Sequence, residues 1–114
     1  MTAYAIAVLR PTAPVHPEVL EYIERVQGTF APYGGRFLSH GKRSEYVEGE
    51  WNGDMVIVGF PDLARAHEWY ASEAYQEIVR LRADHIPGEM VFVEGVPEDY
   101  DAGRTAAAMR SALS

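Results

Sequence analysis

Four short apolar runs, closed off by proline and glycine, alternate with two segments of helical period, and this order constrains the fold more than any other feature of the chain. The first run, Tyr4 to Arg10 (YAIAVLR), is apolar throughout and bounded by Pro11 and Pro14, which predicts a strand buried on both faces. From Pro17 the positions Val19, Tyr22, Ile23, Val26, Phe30 and Tyr33 follow helical spacing, and proline at the first helical position is preorganised for the turn. This helix is expected to end near Pro32. Gly34-Gly35 supplies a permissive turn, after which Arg36 to His40 (RFLSH) alternates as a second strand. Strict alternation puts Phe37 and Ser39 on one face and Arg36, Leu38 and His40 on the other. Glu45 to Glu50 is read as a short edge extension of that hairpin, before the tight-turn dipeptide Asn52-Gly53. Met55 to Phe60 (MVIVGF) is the third strand. Pro61-Asp62 breaks it and caps a helix carrying Leu63, Ala66, Trp69 and Tyr70, which Ser72 stops and recaps. The second helical segment places Tyr75, Ile78, Val79 and Arg82 on one face. After Pro87-Gly88, Met90 to Glu94 makes the last strand.

Strand, helix, strand, strand, helix, strand is the ferredoxin-like α+β pattern, one sheet with both helices on the same face. Residues 1–96 are expected to form this domain, and residues 97–114, acidic and then alanine-rich, a helical or partly ordered tail. The strands read as apolar on both sides, so the face without helices needs a cover that the monomer does not contain. A second copy of the same sheet is the simplest cover, which predicts a homodimer.

Composition narrows the function classes. A chain of 114 residues has room for one core, burying roughly 65% of its unfolded surface. No apolar run approaches the ~20 residues of a membrane span, and the start Met1-Thr2-Ala3-Tyr4 lacks the basic opening of a secretory signal, so a soluble cytoplasmic protein is expected. Without cysteine there is no disulfide, thiolate nucleophile or thiolate metal site. A net charge of −7 and the lack of a basic stripe argue against nucleic acid as a partner.

Several motifs then occur together. Tyr33-Gly34-Gly35-Arg36-Phe37-Leu38, Glu48-Gly49-Glu50-Trp51, Phe60-Pro61 with Ala66, Trp69-Tyr70, Ser72 and Tyr75-Gln76, and Val93-Glu94-Gly95-Val96 resemble the domain-of-unknown-function family numbered 1330. The resemblance runs from about residue 3 to 96 and omits the tail. It implies a dimeric α+β barrel in which two ferredoxin-like sheets pack face to face, each subunit holding a cleft between its sheet and its helices. Superfamilies sharing this fold include cofactor-free monooxygenases, lactone isomerases, polyketide cyclases and haem-degrading enzymes. Arg82 matches a position where the family usually carries arginine. His40 departs from the family, which more often has arginine there.

The candidate catalytic residues are His40 and Arg82. An imidazole titrates near neutral pH and suits a general acid or base, whereas a lone strand histidine also serves in many proteins as a plain structural residue. Arg82 falls beside a packing face, where a permanent charge requires a partner: an anionic substrate group, or an ion pair with Glu48 or Glu94. Arg36, Tyr70, Ser72, Tyr75 and Glu48 complete the expected substrate-binding set. Tyr70 and Tyr75 flank the Ser72 break, where a helix start presents N–H groups suited to an anion. Tyr22 reads as core, and His16 as a cap or loop residue. No histidine pair has His-x-x-x-His spacing with a nearby glutamate, so neither a metal nor any other cofactor is expected, and nothing favours haem. Two functions follow. One is a cofactor-independent isomerase, cyclase or monooxygenase-like enzyme acting on a small, partly aromatic or enolisable substrate. The other is a non-catalytic dimer that binds a small molecule or supports a partner enzyme.

Overall fold

The computed structural model describes residues 1–42 and 44–113. Four strands, β1 (Ala3–Leu9), β2 (Arg36–Lys42), β3 (Asp54–Phe60) and β4 (Gly88–Glu94), form one antiparallel sheet in the order β2-β3-β1-β4. Helix α1 (Pro17–Phe30) joins β1 to β2 through a 3₁₀ turn at Ala31–Tyr33. Three shorter helices, α2 (Leu63–Ala71), α3 (Glu73–Gln76) and α4 (Val79–Ala83), join β3 to β4. The tail holds α5 (Ala102–Ala112). This is the ferredoxin-like arrangement expected from the order of elements.

Local chemistry sets the element ends. His16 caps α1, its Nδ1 accepting the Glu18 N–H at 3.1 Å, and Pro17 fills the first helical position. Gly34 closes the 3₁₀ turn at φ +76°, and a Cβ there would meet the Pro61 ring at 2.7 Å. Ser72 serves two helices. Its Oγ donates to the Trp69 carbonyl at 2.6 Å and accepts the Tyr75 N–H at 3.2 Å, ending α2 and starting α3.

The core lies between the sheet's inner face and the helices. Val58 and Phe60 of β3 and Ala5 of β1 pack against Val26 and Phe30 of α1, Ala66 and Trp69 of α2, and Tyr75 and Ile78. The Trp69 indole N–H is satisfied by Thr29 Oγ1 at 3.0 Å. On the opposite face Leu38, Val91 and Val93 are exposed, and no element covers them among the described residues. Burial of β1 on both faces is therefore only half met within one chain. Ala3, Ala5 and Ala7 are buried, while Tyr4 and Ile6 are partly open.

Two expectations are corrected. Glu45 to Glu50 does not extend the sheet, because β2 ends at Lys42 and residues 45–50 form an exposed loop bent at Gly49 (φ +66°). The face assignment of His40 is also reversed. The register of β2 against β3 shifts between Phe37 and Ser39, so Leu38 is an extra residue in the ladder, and it shifts again before Lys42. A bulge changes the parity of every later side chain. His40 therefore joins Phe37 on the inner face, ring stacked on ring at 4.2 Å and 11°, instead of sharing a face with Arg36 and Leu38.

Candidate functional site

A cleft of about 420 Å³ opens between the inner face of the sheet and α1, with the segment around Arg82 to Ile86 closing one side. Its floor follows from residue size. Ala5 and Ala7 of the central strand are too small to fill the space under α1, and Val56, Val58 and Phe37 border the gap. Val19, Ile23, Val26 and Leu20 of α1 line the wall, while Met90 and Trp69 close it further. Most of this lining is apolar. Its ionisable members are His40, Arg82, Asp54, Tyr22, His16 and His85.

Arg82 lies over the Tyr22 ring, with its Cζ 5.4 Å from the ring centroid, close enough for a cation–π contact. The Tyr22 and Tyr75 hydroxyls are 3.0 Å apart, and Tyr75 is fully buried. Burial draws the Arg82 guanidinium down, but the adjacent Tyr22 and Tyr75 oxygens outweigh it and hold Arg82 above its ordinary value. Burial also pushes the Tyr22 phenol well up, reinforced by Tyr75 and only partly opposed by Arg82. The cation therefore stays charged and the phenol neutral. Among the described residues no carboxylate pairs with Arg82, and the expected ion pair with Glu48 or Glu94 does not form.

A second cluster sits at the rim. The His16 and His85 rings stack at 3.7 Å and 13°, and His85 Nε2 lies 2.7 Å from Glu18 Oε1. That hydrogen bond from His85 holds the Glu18 carboxyl below its usual value.

The remaining predicted residues fall elsewhere. Arg36 pairs in register with Gly59 near the start of β2, is exposed, and does not line the cleft. Glu48 lies in the exposed loop and also stays outside it. Ser72 spends both hydrogen-bonding capacities on its two helix ends and lines none of the cavities described, so the break offers no anion site of the expected kind. Tyr70 packs on Tyr75 and Phe92 and borders a separate hollow of about 450 Å³ behind Arg82. Tyr75 does not line the cleft and reaches the site through its bond to Tyr22 and its oxygen beside Arg82.

Sequence reasoning missed three contributors. Tyr22 reads as core from its helical spacing, and only the two alanines opposite reveal the gap that it faces. His16 and His85 have no spacing signal, since the fold alone brings together residues from the two ends of the domain.

The family model described as "Domain of unknown function (DUF1330)" matches residues 2–96. No curated protein matches the sequence. Several solved structures are similar to the chain, among them the following three. The RPA0582 protein of unknown function from Rhodopseudomonas palustris is 18% identical at a TM-score of 0.64, over 84% of this chain and 83% of that one. A dimeric ferredoxin-like protein of unknown function from Thermobifida fusca is 16% identical at a TM-score of 0.56, over 83% and 92%. SnoaB, a cofactor-independent oxygenase from Streptomyces nogalater, is 14% identical at a TM-score of 0.54, over 88% and 96%. At such identities the likeness establishes the fold and nothing further.

Proposed function

Because the chain belongs to the family of domains of unknown function 1330, whose name leaves the chemistry open, we propose a reading from the cleft itself: a cofactor-independent enzyme acting on a small, partly aromatic or enolisable acid. The observation that carries it is one apolar cleft onto which both an imidazole, His40, and a cation with no carboxylate partner among the described residues, Arg82, open. A volume of about 420 Å³ lies within the usual range for small-molecule sites, roughly 300–1,000 Å³. An apolar lining strengthens every charge interaction inside it, so a developing enolate or phenolate beside Arg82 gains more there than in water. His40, stacked on Phe37 at the edge of the cleft, takes or returns the proton. Tyr22 stays protonated and donates to the same oxygen as Arg82, provided its hydroxyl turns from Tyr75. That a protein of similar fold is a cofactor-independent oxygenase supports chemistry on this fold without a bound cofactor. The working unit is a homodimer, as in the dimeric neighbours, joined through the sheet faces opposite the clefts.

Native mass spectrometry of the protein purified from its source cells tests this reading. The expected result is a retained aromatic or enolisable acid that the same preparation converts on incubation. A retained acid that is never converted favours the binding dimer instead.

A further inference from the structure

The rim of the cleft carries a second set of donor groups that proton transfer at His40 does not use. We propose that His16, Glu18 and His85 form a site for one divalent transition-metal ion, with its open coordination positions toward the cleft. One donor atom from each residue lies within 4.8 Å of the other two, and two of the three residues line the cleft. Two imidazoles and one carboxylate suit zinc, cobalt or iron, whereas magnesium and calcium prefer oxygen alone.

The backbone already fixes the ligands. His16 is the residue that caps α1, Glu18 belongs to the first turn, and the His85 N–H is held by the Arg82 carbonyl at 3.0 Å. Among the described residues Glu18 makes ion pairs with these two histidines and with no lysine or arginine. Bonds of about 2.0–2.2 Å place ligand atoms about 3 Å apart, so closing the triad needs only side-chain movement. Loading turns His16 out of the stack, exchanges its cap on Glu18 N–H for the metal, and moves the proton in the His85–Glu18 hydrogen bond to His85 Nδ1 or to solvent. The exposure of His16 permits that turn. Once bound, the ion ties the start of α1 to the segment after α4 across the rim and offers a Lewis-acidic position to an oxygen of an entering anion. Proton transfer by His40 does not depend on it.

The test titrates the full chain, freed of metal with a chelator, with Zn²⁺ by calorimetry and with Co²⁺ by visible absorption. One ion per chain is expected, with a cobalt ligand-field band. His85→Gln and Glu18→Gln should each weaken binding by at least about tenfold, the loss that removing even an indirect metal partner brings. His16→Asn keeps a good helix cap, so its loss of binding cannot be ascribed to a damaged α1. His67→Gln should bind as the wild type does. Absence of stoichiometric binding, or wild-type affinity in both His16→Asn and His85→Gln, overturns the proposal.

Discussion

His40 reaches the cleft through one extra residue, Leu38, in the β2 ladder, and the roles proposed for it and for Arg82 should separate under substitution. Asparagine at position 40 keeps a polar side chain that cannot take up a proton near neutral pH. His40→Asn should therefore leave ligand affinity nearly intact and lower turnover about a hundredfold. Arg82→Lys retains charge but loses the planar two-point contact, so binding should weaken about tenfold while the protein stays folded. Equal affinity and turnover losses in the two variants, measured on the retained acid, would show that they do not divide the work. Tyr22 gives a pH signature. Its folded pKa is raised above the ordinary value of 10.0, so the stability it contributes is complete below about pH 10 and is lost as pH rises through the folded value. Denaturant titration should show wild-type stability falling above pH 10, with a shallower fall in Tyr22→Phe. Arg82 was legible in the sequence as a charge beside a packing face. The inward turn of His40 was not, because alternation carries no mark of a bulge, and Tyr22 was hidden because a cleft residue and a core residue share the same helical spacing.

At the scale of elements, the sequence announces what local chemistry alone decides. The stop and restart at Ser72 was legible because one hydroxyl can satisfy both a last carbonyl and a first amide, and it does so here. The cleft was not legible, since it arises where Ala5 and Ala7 of β1 face α1 without filling the gap, a relation between elements distant in sequence. The edge segment at Glu45 to Glu50 failed for a related reason: β-like composition does not supply a partner strand, and β2 already pairs with β3 up to Lys42. The tail helix α5 is exposed along its whole length, and no residue of it is buried. A helix of eleven residues gains little stability without a packed face. Deleting residues 98–114 should therefore change the melting temperature by no more than about 2 °C, a shift worth well under 1 kcal/mol for a domain of this size. Calorimetry of the truncated chain measures this. Loss of the dimer on truncation would instead mean that α5 packs across subunits.

At the scale of the whole molecule, the sheet has two apolar faces and only one set of helices. The inner face is closed by α1 to α4 except at the cleft, whereas on the outer face Val91 is 53% exposed, Val93 46% and Leu38 43%. Leu38 of β2 and Val91 and Val93 of β4, with Tyr4 and Ile6 of β1 and Ile57 of β3 partly open between them, make an apolar patch across the sheet, and solvated patches of that sort are uncommon on stable monomers. Covering it with another copy brings identical surfaces together about a two-fold axis and leaves both clefts facing outward, away from the contact. The hydrophobic term scales with the area removed from water, and a stable contact of this type buries in total about 1,200 Å² or more. Sedimentation velocity at micromolar concentration should therefore show a species of twice the 12.7 kDa chain mass. Val91→Glu places a charge on the face that forms that contact, where burial without a partner costs several kcal/mol, and should return the protein to a monomer. Because Val91 lies on the face opposite the core, the variant's secondary structure should be unchanged by circular dichroism. A wild-type chain that sediments only at 12.7 kDa would remove the sheet-to-sheet contact, and a Val91→Glu protein that stays dimeric would move the contact to another surface.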